Sequence, residues 1–146
     1  MNTKTKGIIT ETETKLFFQK LGYTVSTPEG DNARYDLIID IDGKLLRIQC
    51  KTAKKSADGK SFEVDGTSTR YHDGRYIKVF YDASEIEYFA TTLDGKCYLL
   101  PVDMIHRRTV LRLMPSDSGQ WRRSNWAQDY EIEKVINQIK EANNGE

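Results

Sequence analysis

One short stretch, RYDLIIDIDGKLLRIQCKTAKK at residues 34–55, limits what this chain can fold into. Two apolar-rich runs, residues 35–41 and residues 44–50, flank the dipeptide Asp42-Gly43. Asp-Gly between two such runs is the strongest short-range signal for a β-hairpin with a two-residue turn. The sequence therefore predicts a tight antiparallel hairpin here.

Counting outward from this turn gives the expected register of the hairpin. Asp36 is expected opposite Gln49, and Arg34 opposite Lys51. Successive side chains of a strand point to opposite faces of a sheet, so each face can be written down. The face predicted to be core is almost wholly apolar and consists of Tyr35, Leu37, Ile39, Ile41, Leu46, Ile48 and Cys50.

The opposite face brings a carboxylate, an amide and an ammonium to one end of the hairpin: Asp36, Gln49 and Lys51. One interpretation is the ordinary solvated face of a half-buried sheet. The other is a hydrolytic metal site, because an aspartate offers the hard oxygen ligand that Mg²⁺ prefers. A lysine beside the metal can position a water and neutralise a phosphate. Spacing alone does not choose between the two.

The same residues resemble the PD-(D/E)XK nuclease superfamily, whose motif is an Asp, a spacer and then acidic-X-Lys on the next strand. Here the motif reads Asp36, twelve residues, then Gln49-Cys50-Lys51. Upstream, KG at residues 6–7, Glu11 and a glycine eleven positions later resemble the first helix of archaeal-type Holliday junction resolvases. The segments IEYFA at residues 86–90 and YLLPV at residues 98–102 are similar to the small group I intron-encoded homing endonucleases of the superfamily.

This resemblance, which covers residues 6–113, carries expectations for the fold and the chemistry. It implies an α+β, restriction-endonuclease-like fold: a mixed β-sheet flanked by helices. It also implies a site-specific endonuclease that hydrolyses phosphodiester bonds in double-stranded DNA with Mg²⁺ or Mn²⁺. Asp36, Glu11 and the main-chain carbonyl of Cys50 would hold the metal, Gln49 would be a weak ligand or orient water, and Lys51 would position the attacking water. A homo-oligomer, dimer or tetramer, is implied because cutting both strands needs two sites.

Gln49 is the main departure from the common motif, because most members carry Glu or Asp there. The homing-endonuclease relatives also have Gln at this place. Two alternatives therefore stay open: a structure-specific nuclease that acts like a Holliday junction resolvase, and a DNA-binding module that has lost catalysis.

Composition adds bounds on the class of protein. The length of 146 residues predicts a single domain, residues 1–146. Basic and acidic side chains are equal in number, and the apolar fraction of 38% fits a soluble globular protein. No apolar run approaches the ~20 residues of a membrane span, and the polar start lacks a signal-peptide core. Cys50 and Cys97 are expected to be reduced and buried, which indicates a cytoplasmic protein.

Charge is uneven along the chain: residues 44–78 hold nine basic against four acidic side chains, whereas the whole chain is neutral. Within this stretch, residues 53–76 form a polar segment too long for a tight connection, which predicts a basic loop or hairpin that contacts DNA. A solvated loop is the alternative. The residues predicted to contact DNA are Arg34, Lys54, Lys55, Lys60, Arg70, Arg75 and Lys78.

Apolar periodicity and turn residues predict the remaining elements. Helices are expected over residues 7–21, with an apolar face of Ile8, Ile9, Leu16, Phe17 and Leu21, and over residues 129–142, with a stripe of Ile132, Val135, Ile136 and Ile139. Strands are expected over residues 23–27, 61–64, 76–81, 86–92, 96–100 and 109–114. A polar loop, residues 116–124, is expected to be pinned by Trp121 and Trp126.

Overall fold

The computed structural model describes residues 1–119 and 124–145, and within these ranges the chain folds into two α-helices and eleven β-strands. Short 3₁₀ helices cover Val102–Met104 and Ala127–Tyr130. The elements are α1 (Thr3–Lys20), β1 (Thr24–Ser26), β2 (Leu37–Ile41), β3 (Lys44–Cys50), β4 (Lys54–Lys55), β5 (Ser61–Val64), β6 (Thr67–His72), β7 (Arg75–Phe80), β8 (Tyr88–Leu93), β9 (Lys96–Pro101), β10 (Thr109–Arg112), β11 (Asn125–Trp126) and α2 (Ile132–Asn144).

The main sheet has five strands in the order β1-β2-β3-β8-β9. It is mixed, because β3 and β8 run parallel while the other neighbours are antiparallel. A second sheet has the order β11-β10-β5-β4, and β6 and β7 form a separate two-stranded ribbon. The predicted α+β, restriction-endonuclease-like architecture is confirmed.

The predicted central hairpin is present with its two-residue turn. Ile41 pairs with Lys44, and both turn residues have positive φ. The ladder ends where Leu37 pairs with Ile48, however, so the expected pairs Asp36–Gln49 and Arg34–Lys51 do not form. The chain bends at Asp36, whose amide donates to the carbonyl of Ile48 at 2.8 Å. This bend frees the Asp36 side chain from the regular pleat.

Two apolar clusters cover the two faces of the main sheet. The first cluster contains the predicted core residues of β2 and β3 together with Phe18 of α1 and the buried stripe of α2. The second contains Phe89 and Leu100, which alternate with Ala90 and Leu99 along β8 and β9 and face the second sheet. The main sheet, which carries the candidate site, is thus packed between the helices on one face and the second sheet on the other.

Helix α1 differs from the sequence-based expectation in its buried face. Thr10, Thr14 and Phe18 are buried, whereas Ile8 is 58% exposed and Leu16 48% exposed. Burial of Thr14 costs little because its hydroxyl donates to the carbonyl of Thr10 at 2.8 Å, within the helix. Apolar side chains lie on both sides of this helix, so periodicity could not identify the inner face. The helix also begins earlier than predicted, with Asn2 as its N-cap.

The segment predicted to be a basic loop or hairpin, residues 53–76, is largely strand. The strand expected over residues 61–64 is confirmed as β5, but β6 was missed and pairs with β7 around Asp73-Gly74. That dipeptide has positive φ at both residues, as do Asp42-Gly43 and Asp94-Gly95. The same Asp-Gly signal that identified the other two hairpins was therefore available for this one.

The C-terminal region follows the prediction in outline. The apolar stripe of α2 is buried as expected, but the helix begins at Ile132 after a 3₁₀ turn. Strand β10 is shorter than expected, and half-buried Trp126 lies in β11. Trp121 and part of the predicted polar loop lie outside the described residues. In the described part of the chain, no helix is long and apolar enough to cross a membrane.

Candidate active site

Asp36 is held at the end of the central hairpin by the main chain. Its carboxylate Oδ2 accepts a hydrogen bond from the amide of Cys50 at 2.9 Å. Because the bend before β2 turns the side chain back over the end of β3, the carboxylate lies against the segment that carries Gln49, Cys50 and Lys51. The structure thus joins both parts of the predicted motif through one hydrogen bond.

The pKa of Asp36 reports which groups surround it. Burial raises the pKa of this carboxyl above its usual value, the Cys50 amide opposes that change, the charge of Glu11 raises it further, and Lys51 lowers it. Glu11 and Lys51 are therefore electrostatic neighbours of Asp36. A bound divalent cation would relieve both the burial of Asp36 and its repulsion from Glu11.

Glu11 of α1 lines an open cleft of about 410 Å³ together with Asp36. One helical turn later, Lys15 also lines this cleft and pairs with Glu11, with Nζ and Oε1 3.3 Å apart. Glu13 is exposed and instead lies electrostatically close to Cys97. The geometry therefore distinguishes Glu11 from Glu13, which helix periodicity did not. Lys15 was missed, although its spacing from Glu11 placed it on the same helix face.

Gln49 and Cys50 end β3 beside this cleft. Gln49 is half-buried, and its side chain makes no hydrogen bond within residues 1–119 and 124–145. Burial raises the pKa of the Cys50 thiol far above its usual value, and the charge of Asp36 adds to the effect. The thiol therefore stays protonated, and the carbonyl oxygen is the part of Cys50 that is suited to a hard cation.

Lys51 reaches from β3 to the start of the ribbon. Its Nζ donates to the carbonyl of Thr67 at 2.7 Å and lies 5.4 Å from the ring centroid of Tyr81. Burial lowers the pKa of Lys51, and the charges of Asp65 and Asp36 oppose this effect. Thr67 and Asp65 were not predicted, because the hydrogen bond of Thr67 to Lys51 and the electrostatic influence of Asp65 depend on how the following strands fold back.

The donor chemistry of the cleft fits a small hard cation. Among the described residues there is no cluster of three or more His, Cys, Asp and Glu side chains that could hold a metal. Mg²⁺ does not require such a cluster, since it typically binds through one or two carboxylates and keeps several waters. Asp36 and Glu11 supply two carboxylates, and Cys50 can add a carbonyl oxygen.

Arg34 lies two residues before Asp36 and is engaged within the protein. Its guanidinium donates to Glu85 at 2.8 Å and to the Ser68 hydroxyl and the Phe80 carbonyl at 2.9 Å each. It also lies over the ring of Tyr81, 3.8 Å from the centroid. The guanidinium therefore connects the base of the ribbon to the segment before β2, which carries Asp36.

The other basic residues predicted to contact DNA lie in two places. Lys54 and Lys55 are exposed on β4, where Lys55 pairs with Asp94 at 2.5 Å, and Lys60 pairs with Asp117 at 3.2 Å. Three lie exposed on the ribbon: Arg70, Arg75 and Lys78. The structure thus separates the basic stretch of the sequence into a group on the second sheet and a group on the ribbon.

Comparisons with known proteins agree with this geometry. No curated protein matches the chain. A bacterial homing endonuclease, I-Ssp6803I, has a similar solved structure with a TM-score of 0.77 and 26% sequence identity, covering 100% of this chain and 99% of that one. The profile of the PD-(D/E)XK endonucleases matches residues 1–133. Asp36 and Lys51 lie within that match, at the end of a central hairpin in a mixed sheet, and the chain belongs to the PD-(D/E)XK endonuclease family.

Proposed function

We propose that this protein is a divalent-metal-dependent, site-specific endonuclease of double-stranded DNA, of the group I intron-encoded homing type. The observation that carries the proposal is the position of Asp36. Its carboxylate is held by the Cys50 amide, shares a cleft with Glu11 and is an electrostatic neighbour of Lys51. Two acids and a lysine, gathered where helix α1 meets the end of the hairpin, are suited to hydrolysis of a phosphodiester.

Each residue of this site has a distinct role in the proposal. Asp36, Glu11 and the Cys50 carbonyl hold Mg²⁺ or Mn²⁺, which when bound would lower the pKa of a water and neutralise phosphate charge. The Gln49 amide orients water or is a weak ligand. The Lys51 ammonium positions the attacking water. The water oxygen bonds to phosphorus and releases a proton to solvent, one P–O bond breaks, and the leaving oxygen takes up a proton from solvent.

The proposal extends to the partners of the chain. Exposed basic side chains on β4 and on the ribbon contact the DNA backbone, with Lys60 between the two groups in sequence. Arg34 supports this surface from within, because its guanidinium is occupied by protein acceptors. A homo-oligomer, dimer or tetramer, places two sites for the two strands. Two unpaired cysteines suit a reducing, intracellular compartment.

The test is cleavage of a supercoiled plasmid library with random inserts, in Mg²⁺ and in EDTA. We expect the wild type to cut a subset of plasmids in Mg²⁺ alone. Asp36→Asn should abolish cutting and bind DNA equally well or more tightly, because a negative charge near the phosphate is removed. Asp42→Asn is the matched control, since Asn-Gly suits the same turn. Cutting by Asp36→Asn at the wild-type rate would contradict the proposal.

The same assay separates the alternatives. Cleavage of four-way junctions without sequence preference would indicate a junction resolvase. Sequence-specific binding without cleavage, in either Mg²⁺ or Mn²⁺, would indicate a module that has lost catalysis, as the neutral Gln49 would allow.

A further inference from the structure

The β6–β7 ribbon is the least covered part of the described structure. It forms its own sheet of six residue pairs, from Thr67–Phe80 to His72–Arg75, with Asp73-Gly74 at its tip. An isolated two-stranded hairpin is marginally stable in water. This one nevertheless exposes large side chains, including Tyr71 at 67% and Tyr76 at 77%. Contiguous exposed apolar surface of this kind indicates a binding partner.

The register divides the ribbon into two chemically different faces, because side chains of paired residues lie on the same side. What we call the arginine face consists of Ser68, Arg70, His72, Arg75, Ile77 and Val79. The tyrosine face consists of Thr67, Thr69, Tyr71, Tyr76, Lys78 and Phe80. On the tyrosine face the rings of Tyr71 and Tyr76 meet edge to face, with centroids 5.2 Å apart. Lys78 donates to the Thr69 hydroxyl at 3.0 Å.

Charge favours a polyanion as the partner. The ribbon carries three permanently basic side chains, Arg70, Arg75 and Lys78, against a single acidic one, Asp73 at the tip. Asp73 lies 3.2 Å from His72 rather than against an arginine. Among the described residues, neither Arg70 nor Arg75 forms an ion pair with an acidic side chain. Guanidinium groups that are exposed and free of acidic partners are suited to bidentate recognition of guanine edges or phosphates.

The base of the ribbon adjoins the candidate active site. The Lys51 ammonium bonds to the Thr67 carbonyl, and Arg34 bonds to Ser68 and Phe80 at the other side of the base. DNA with a phosphate at Asp36 must therefore pass beside the ribbon. Strands of six residues extend about 20 Å, which is roughly the length of six base pairs. A two-stranded ribbon also fits the major groove, which is about 12 Å wide.

We propose that the ribbon enters the major groove next to the scissile phosphate and that Arg70 and Arg75 are the residues that read guanines there. The tyrosine face then points out of the groove, where the hydroxyls of Tyr71 and Tyr76 and the ammonium of Lys78 reach toward the flanking phosphates without sequence preference. This inference rests on the proposed DNA substrate and gives the two groups of basic residues different roles in binding it. The ribbon specifies sequence, whereas Lys54, Lys55 and Lys60 add only affinity.

The test uses the double variant Arg70→Lys/Arg75→Lys, which keeps both charges and removes both planar forks. Wild type and variant each select bound duplexes from a library with a randomised stretch, in EDTA so that binding is read without cleavage. We expect the wild type to select a sequence motif that includes guanines. The variant should lose selection at those positions, all within about six base pairs of the scissile phosphate. Its affinity for the wild-type motif should fall by about 5- to 150-fold per lost contact.

Two controls show that the change is one of specificity. Affinity of the Arg→Lys variant for unselected DNA, and the salt dependence of that affinity, should stay near wild type, because charge is conserved. Lys54→Gln/Lys55→Gln should weaken binding to the selected motif and to unselected DNA alike. Thermal melting of each variant verifies the fold, since all four positions are exposed.

Two results would overturn the inference: a wild type that selects no motif, or an Arg→Lys variant that selects the wild-type motif unchanged. Failure of the proposed function looks different. A wild type whose arginine-dependent motif is bound but never cut in Mg²⁺ would refute the nuclease proposal, whereas the assignment of sequence reading to Arg70 and Arg75 would stand.

Discussion

At the scale of single residues, the candidate site combines few negative charges with considerable burial. Asp36 is stabilised as an anion by one main-chain amide and destabilised by burial and by Glu11. Where the common motif has a second acid, this chain has neutral Gln49. Glu11 is therefore the only other carboxylate that the family resemblance assigns to the metal, and its loss should be felt strongly.

We predict that Glu11→Gln lowers Mg²⁺-dependent cleavage by at least about tenfold and that Glu13→Gln leaves it near wild type. Both substitutions remove one charge from the same helix, and the ion pair with Lys15 that Glu11→Gln also removes is partly exposed and contributes little to stability. Of these two glutamates, only Glu11 lines the cleft of Asp36. The measurement is the single-turnover cleavage rate over a Mg²⁺ titration; equal rates for the two variants would remove Glu11 from the metal site even if Asp36 proved essential.

Part of this site was predictable from local sequence. The Asp-Gly turn and the period of a strand placed Asp36, Gln49 and Lys51 at one end of the hairpin, and the family resemblance identified them, with Glu11, as a candidate site. The bend that takes Asp36 out of the ladder was not predictable, because the alternation of side chains in the hairpin does not show that strand pairing ends at Leu37. The contact between Lys51 and Thr67 was not predictable either, since it joins positions sixteen residues apart through tertiary folding.

At the scale of elements, the link between β5 and β6 determines where the ribbon starts. Gly66 donates its amide to the His106 carbonyl at 2.9 Å. A Cβ at this position would lie 2.6 Å from Ile105 Cγ2 and 2.8 Å from the His106 carbonyl oxygen. The next residue is Thr67, whose carbonyl receives the Lys51 ammonium. Close packing at Gly66 thus positions both the start of the ribbon and the carbonyl that binds Lys51.

We predict that Gly66→Ala destabilises the protein by about 1–3 kcal/mol, because the added methyl overpacks a closed contact. The control is Gly7→Ala in α1, where nothing lies within 4 Å of the added methyl. That change should stabilise the protein by about 0.5–1 kcal/mol, because alanine favours the helix more than glycine does. Urea unfolding measures both. A neutral Gly66→Ala would show that the Ile105–His106 segment yields.

Elements were predictable where apolar residues mark one face or an Asp-Gly turn sets the register. The stripe of α2 was found because polar residues fill its other sides. The central hairpin was found from its turn, since its outer face also carries Ile38 and Leu45. Apolar periodicity did not identify the buried face of helix α1, since this helix buries two threonines and exposes Ile8 and Leu16. Apolar periodicity did not identify strand β6 either, because both faces of the ribbon are exposed and its residues do not alternate between apolar and polar.

At the scale of the whole molecule, the exposed side of α1 is the surface best suited to a second copy of the chain. Ile8, Ile9 and Leu16 lie on one side of this helix and are 58%, 37% and 48% exposed. Thr12 lies between them and carries no charge. One chain carries one candidate site, whereas a cut through both DNA strands at a fixed spacing requires two sites related by symmetry.

We therefore predict that the protein sediments as a dimer or tetramer and that Ile8→Asp/Leu16→Asp dissociates it, because association would bury unpaired carboxylates. Tyr71→Ser/Tyr76→Ser is the matched control: it also removes two exposed apolar side chains, but from the ribbon, and should leave the sedimentation coefficient unchanged.

Dissociation should also change the product of DNA cleavage. A monomer can reach one strand at a time, so the α1 variant should nick a supercoiled plasmid where the wild type linearises it. A wild type that sediments as a monomer, or an α1 variant that still makes linear product at the wild-type rate, would exclude α1 as the interface.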